Sequence, residues 1–184
     1  MYKSSGVVVL DSFPIRQIDI EVLDSIASSI EEGILYALVV QGDKEYKSPF
    51  TFSQVENWIS YILDSPRIVI VDLPLTLKEI NSISDTILKI SRTLSDINNL
   101  PYREPLTELC CYSGELTETN PYVNKVKECF KEHNVINIEE IDNKLSRKQI
   151  LEEMLLSDNL DKYFNLLTPK SYRSVINYKQ SLEN

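Results

Sequence analysis

Glycine is scarce in this sequence, with four residues in 184, at positions 6, 33, 42 and 114. Loops that cradle phosphate groups usually need clustered glycines, because their backbone comes close to the ligand and adopts positive φ angles. Neither G-x-G-x-x-G nor G-x-x-x-x-G-K-[ST] occurs anywhere in the chain. The sequence therefore excludes the nucleotide-binding motifs of those two kinds.

Cysteine, basic charge and long apolar runs are scarce as well. Three cysteines (Cys110, Cys111 and Cys129) without a secretory signal at the N-terminus indicate reduced thiols and a cytoplasmic protein. The formal net charge of -9 repels phosphate backbones, so nucleic acid is not an expected partner of this acidic protein. No apolar run approaches the length that crosses a bilayer, so the sequence predicts no contact with a membrane.

The spacing of apolar residues in the first 74 positions predicts alternating strands and helices. Short apolar runs at 6–10, 34–41 and 66–74 are typical of buried strands. Periods of three and four residues at 19–33 and 52–63 are typical of helices. The order β-α-β-α-β with continuously apolar strands predicts a parallel sheet with right-handed crossovers.

The chain after residue 74 is predicted to be mostly helical. Residues 1–100 are assigned to an α/β core. Residues 101–184 are assigned to a helical region that packs on this core or on a neighbouring subunit. Capping patterns set the expected helix starts at Ser53, Ser146 and Thr168. The remaining expected elements are helices at 76–99, 121–133, 146–157 and 168–183, an irregular connection at 98–121 and a short strand at 135–138.

The order of elements resembles the crotonase superfamily, the enoyl-CoA hydratase/isomerase fold. The stretches that carry the resemblance are "GVVVL", "IDIEVLDSIASSIEEG", "ALVVQG" and "SPRIVIVDLP", and the ending "LTPKSYRSVINYKQSLEN" is similar to crotonase homologues of polyketide biosynthesis. The resemblance implies an α/β fold class with a crotonase-like β-α-β-α-β N-terminal part and a mostly helical C-terminal half. It also implies a homo-oligomer, most simply a trimer.

Two departures from that family bear on function. Crotonases hold a thioester enolate with two backbone N–H groups, but Pro49 in the first donor loop has no N–H and "DLPLTLKEI" has no glycine for the second. The resemblance then implies a degenerate protein, accessory or non-catalytic in polyketide or fatty-acid type metabolism. Its expected partners are an acyl carrier protein or an active crotonase. No cofactor is expected, with acyl-CoA or an acyl carrier thioester as the ligand.

Four residues are candidates for the site, and two other functions stay open. Ser48 and Asp72 are the candidate catalytic residues, since Asp72 ends a strand where an acid or base could act, although a solvated carboxylate fits as well. Lys47 and Lys179 are candidates for binding the phosphates of CoA, and no metal site is expected. The alternatives are an active acyl-thioester hydro-lyase or isomerase with a reorganised site, and an acidic interaction or inhibitor protein.

Overall fold

The computed structural model describes residues 5–30, 34–40, 47–73, 109–113, 134–137 and 145–184. Five strands within these ranges form one sheet in the order β3-β2-β1-β4-β5, and every neighbouring pair is parallel. The strands are β1 (Ser5–Asp11), β2 (Leu35–Val40), β3 (Ile68–Leu73), β4 (Leu109–Ser113) and β5 (Asn134–Asn137). The helices are α1 (Gln17–Ser29), α2 (Phe52–Ser60), α3 (Arg147–Leu156) and α4 (Pro169–Glu183), and a single 3-10 turn lies at Asp161–Tyr163.

The core forms around β1 and β2, whose side chains are apolar on both faces, as expected for inner strands of a parallel sheet. Val8 and Leu10 of β1 and Leu35 and Ala37 of β2 are fully buried. Helix α1 adds a stripe at helical spacing that the sequence also predicts, formed by Ile20, Leu23, Ile26 and Ala27.

The β-α-β-α-β opening is confirmed, and so are several helix starts. Ser146 caps α3 by accepting the backbone N–H of Gln149, and the side-chain oxygen of Gln149 accepts the N–H of Ser146 in return. Thr168 caps α4, with Pro169 as its first helical residue. The short strand predicted at 135–138 is present as β5, one residue earlier.

The differences from the predictions include two helix limits and one connection. Helix α2 is capped by Thr51, because its hydroxyl and the side chain of Gln54 complete the reciprocal capping pair, and not by Ser53. Helix α1 ends at Ser29, because Ile30 has an extended backbone. The predicted irregular connection at 98–121 contains β4, which forms because it pairs with β1 on one side and β5 on the other.

Two predicted helices and the predicted division into domains cannot be compared with the described residues. The helices predicted at 76–99 and 121–133 lie outside the described residues. The division into residues 1–100 and 101–184 stays a prediction. Within the described ranges, no helix is both long and apolar enough to cross a bilayer.

The segment that leads into α4 covers the connection between β1 and α1. The N–H of Thr168 donates to the carbonyl of Ile15 (3.0 Å), and the N–H of Gln17 donates to the carbonyl of Leu166 (2.9 Å). The N–H of Ile15 donates to the hydroxyl oxygen of Ser171 (2.9 Å). Residues distant in sequence therefore satisfy the backbone of this connection.

Ser171→Ala is expected to lower the free energy of unfolding by about 1–3 kcal/mol, because the buried N–H of Ile15 would lose its acceptor. Urea denaturation followed by far-UV circular dichroism measures the change. Ser181→Ala, at an exposed position of the same helix, is the matched control and is expected to stay within about 0.5 kcal/mol of the parent. Equal stability of the two variants would contradict a structural role for this hydrogen bond.

Candidate functional site at the carboxyl end of β1

The strand order of this open parallel sheet marks the edge at which a ligand crevice is expected. From β1 the chain runs outward through β2 to β3, and it returns to the other side of β1 for β4 and β5. The direction of winding therefore reverses between β1 and β4. In open parallel sheets, ligands bind outside the carboxyl ends of the strands at such a reversal. The residues after Asp11, at the carboxyl end of β1, are therefore expected to form part of a ligand site.

Hydrogen bonds from within the loop and from Ser48 shape the loop that follows β1. The Asp11 carboxylate accepts the backbone N–H of Phe13 (3.2 Å). The carbonyl of Ser12 accepts the hydroxyl of Ser48 (2.7 Å), whose oxygen in turn accepts the N–H of Phe50 (3.1 Å). Ser48 thus joins the end of β1 to the segment that precedes α2.

A buried ion pair lies at the first turn of α1. The guanidinium of Arg16 contacts the carboxylate of Asp19 through Nη2 (2.7 Å) and Nε (3.1 Å). The same carboxylate accepts the backbone N–H of Arg16 (2.8 Å). Asp19 therefore neutralises the arginine and bonds a backbone donor at the helix start, where a negative group is also favoured by the helix dipole.

A second arginine extends this pair to the end of β1. Arg147, the first residue of α3, contacts the carboxylate of Asp11 (3.0 Å) and lies 3.9 Å from that of Asp19. Nη1 of Arg16 donates to the carbonyl of Leu145 (3.0 Å), just before α3. The four charged residues, Asp11, Arg16, Asp19 and Arg147, are called the Arg–Asp cluster below.

The Arg–Asp cluster is buried and its formal charges cancel. The side chains of Arg16 and Arg147 are each 4% exposed, that of Asp19 is 0% exposed and that of Asp11 is 16% exposed. Charged side chains that are this deeply buried are tolerated only when they are paired and hydrogen-bonded. The cluster therefore fixes the starts of α1 and α3 against the carboxyl end of β1.

The four predicted site residues lie in different settings. Ser48 is buried in the hydrogen bonds described above, and Lys47 beside it is exposed. Asp72 is an exposed residue near the end of β3, opposite Val39 of β2. The ammonium of Lys179 donates to carbonyl oxygens at the end of α3, those of Met154 (3.2 Å) and Ser157 (2.5 Å). Their roles in a site stay predictions.

The Arg–Asp cluster is absent from the predicted site. One local signal for it exists, since Arg16 and Asp19 have the three-residue spacing that places side chains together on a helix. The contact of Arg147 with Asp11 joins residues that are far apart in sequence, and no local pattern marks it. Among the described residues, no group of three His, Cys, Asp or Glu side chains is arranged to hold a metal ion.

The fold is similar to that of solved nucleotidyltransferases. A nicotinic acid mononucleotide adenylyltransferase of Plasmodium falciparum, complexed with APC, matches with a TM-score of 0.57 and 15% identity over 96% of each chain. A bifunctional NMN adenylyltransferase/ADP ribose pyrophosphatase of Francisella tularensis matches with a TM-score of 0.55 and 12% identity. That match covers 98% of this chain and half of the Francisella protein. No family model and no curated protein sequence matches.

These likenesses show a Rossmann-like α/β fold, similar to that of the two adenylyltransferases, with a parallel sheet and helices in its C-terminal part. The resemblance to crotonases is therefore wrong. The prediction of a degenerate enoyl-CoA hydratase/isomerase-like protein of acyl-thioester metabolism is wrong with it. The physical reason is that a β-α-β-α-β opening does not determine which strand β4 joins, and here β4 returns to the free side of β1.

Three predictions made with that resemblance stay predictions. They are the acyl-thioester ligand, the trimer and the acyl carrier protein or crotonase partner, and each has lost the family likeness that suggested it. The cytoplasmic location also stays a prediction.

Proposed function

We propose that this protein binds an adenosine-containing ligand in the crevice outside the carboxyl ends of β1 and β4, and that it does so without transferring a nucleotidyl group. The proposed ligand binding rests on one observation, which is that the direction of winding reverses between β1 and β4. The names of the two similar structures, both adenylyltransferases, suggest the adenosine part of the ligand.

The charges near β1 support binding without transfer. Nucleotidyl transfer needs cations and backbone donors aimed at the phosphates, since positioning and electrostatic stabilisation supply most of the catalysis of phosphoryl chemistry. Here the guanidiniums of Arg16 and Arg147 both contact carboxylates of the chain.

Titration of the ¹⁵N-labelled full chain with adenosine, AMP and ATP tests the binding. At least one of them is expected to bind saturably and to shift the amide signals of residues 11–16. Signals of residues 180–183, at the far end of α4, are the internal control and are expected to stay in place. No saturable binding, or shifts confined to other surfaces, would contradict the proposal.

Nucleotidyl transfer itself is a second candidate, favoured by the match over 96% of both chains with the Plasmodium falciparum adenylyltransferase. In that reaction, an oxygen of the mononucleotide phosphate bonds to the α-phosphorus of ATP and pyrophosphate leaves. Incubation with ATP, Mg²⁺ and nicotinic acid mononucleotide, followed by chromatography of the nucleotides, decides between the two. We expect no dinucleotide product, and its formation in proportion to the amount of protein would favour the second candidate.

A further inference from the structure

The loop after β1 is paired with the segment that leads into α4. Residues 15–17 and 166–168 run antiparallel, and the two backbone hydrogen bonds between them flank a bridge of Arg16 with Leu167. The side chain of Gln17 adds a further bond, because its Nε2 donates to the carbonyl of Leu167 (3.2 Å). The two segments therefore meet like two short strands, one leading into α1 and the other into α4.

Most of this pairing is withdrawn from water. Ile15, Leu167, Thr168 and Ser171 are fully buried, and the hydroxyl of Ser171 accepts the backbone N–H of Ile15. A buried N–H or carbonyl that loses its partner costs free energy. Residues 15–17 therefore keep this conformation only while α4 is in place beside them.

Helix α4 is attached to the rest of the fold by few buried side chains. Of its fifteen residues, Ser171 and Val175 are buried. Ser174 accepts the indole N–H of Trp58, and Lys179 donates to carbonyls at the end of α3. Elements with few buried apolar contacts open locally while the remainder of a protein stays folded. Helix α4 is therefore expected to detach before the sheet unfolds.

We propose that α4 is a strap that holds the loop after β1 in its binding conformation, so that docking of α4 and binding of a ligand in the crevice stabilise each other. This inference rests on the proposed function, because the loop belongs to the same crevice. Ser171 is then a positioning residue, which acts through the backbone of Ile15 and does not touch the ligand. A state with α4 detached binds the ligand weakly, so a change that populates this state lowers the apparent affinity.

Calorimetric titration of the full chain with adenosine, AMP and ATP, well below the melting temperature, tests the coupling. For each compound that binds the wild-type protein, Ser171→Ala is expected to weaken the affinity about fivefold. A loss of global stability alone would leave nearly all of the protein folded and the affinity unchanged. Ser181→Ala, exposed on the same helix, is the matched control and is expected to keep the wild-type affinity.

Hydrogen exchange of the protein without ligand gives a second readout. Ser171→Ala leaves in place the carbonyls that accept the N–H groups of Gln17 and Thr168. These two amides are nevertheless expected to exchange about tenfold faster than in the wild-type protein, because the pairing opens together with α4. The amide of Leu38 in β2 reports unfolding of the sheet and is expected to exchange more slowly than both.

Each outcome has a distinct meaning. Equal affinity of the wild-type protein and Ser171→Ala would overturn the role of α4 and leave the proposed function standing. Wild-type protein that binds none of the three compounds would overturn the proposed function, and this inference with it. If Ser171→Ala does not fold, Gln17→Ala decides the question, because Gln17 is exposed and its side chain bonds Leu167. A loss of about twofold in affinity is expected for Gln17→Ala, and an unchanged affinity would contradict the inference.

Discussion

Asp19→Ala is expected to lower the free energy of unfolding by about 3–5 kcal/mol. Its carboxylate is fully buried and neutralises Arg16, whose guanidinium is 4% exposed. Removing it leaves a buried positive charge without its closest partner and leaves the N–H of Arg16 without an acceptor. Domains of this kind are stable by about 5–15 kcal/mol, so the loss is a large share of the total.

Trp58 is a suitable probe for this measurement, because it is the only tryptophan of the chain and it is buried. Urea denaturation followed by its fluorescence gives the free energy of unfolding. Asp24→Ala removes an exposed carboxylate from the same helix and is expected to change stability by no more than about 0.5 kcal/mol. A loss below about 1 kcal/mol for Asp19→Ala would show that the Arg–Asp cluster does not fix the start of α1.

Apolar patterns predict the local elements of this chain well. Runs such as Gly6–Leu10 are too short for a helix and too apolar for a loop, so they correctly predict β1, β2 and β3. The capping pair of Ser146 and Gln149 predicts the start of α3 because both partners lie within one helical turn. These predictions succeed since the atoms involved are only a few residues apart.

Patterns of this kind do not determine the order of the strands. A β-α-β-α-β opening is compatible with several folds, and the choice depends on where β4 pairs. Residues 109–113 give a weak local signal, and they form a strand because hydrogen bonds with β1 and β5 are available on both sides. The scarcity of glycine correctly excludes two phosphate-binding motifs, but it does not exclude the parallel sheet itself.

The Arg–Asp cluster is missed for a related reason. The side chain of Arg16 bonds the carbonyl of Leu145 across a separation of 129 residues, and periodicity carries no information at that distance. The sequence makes Ser48 a candidate catalytic residue beside Asp72, and in the fold its hydroxyl donates to the carbonyl of Ser12. Long-range polar contacts of this kind have to be read from the structure.

Trp58→Ala is expected to lower the free energy of unfolding by about 3–5 kcal/mol, the range for removal of a large aromatic side chain from a core. The ring is 2% exposed and packs edge-on against Phe50, with their centroids 5.2 Å apart. Its indole N–H donates to the hydroxyl of Ser174 (3.1 Å), so the side chain also joins α2 to α4. The substitution therefore removes apolar contacts and a connection between two helices at once.

Urea denaturation followed by far-UV circular dichroism measures the free energy of unfolding of this variant, because the fluorescence of Trp58 is lost. Glu56→Ala, exposed on the same helix, is the matched control and is expected to lie within about 0.5 kcal/mol of the parent. Hydrogen exchange at the amide of Ile15, which bonds Ser171 of α4, adds a local measurement. Exchange of this amide at the rate of global unfolding would show that α4 and the sheet unfold together. Faster exchange would show that α4 detaches first, which exposes the loop after β1.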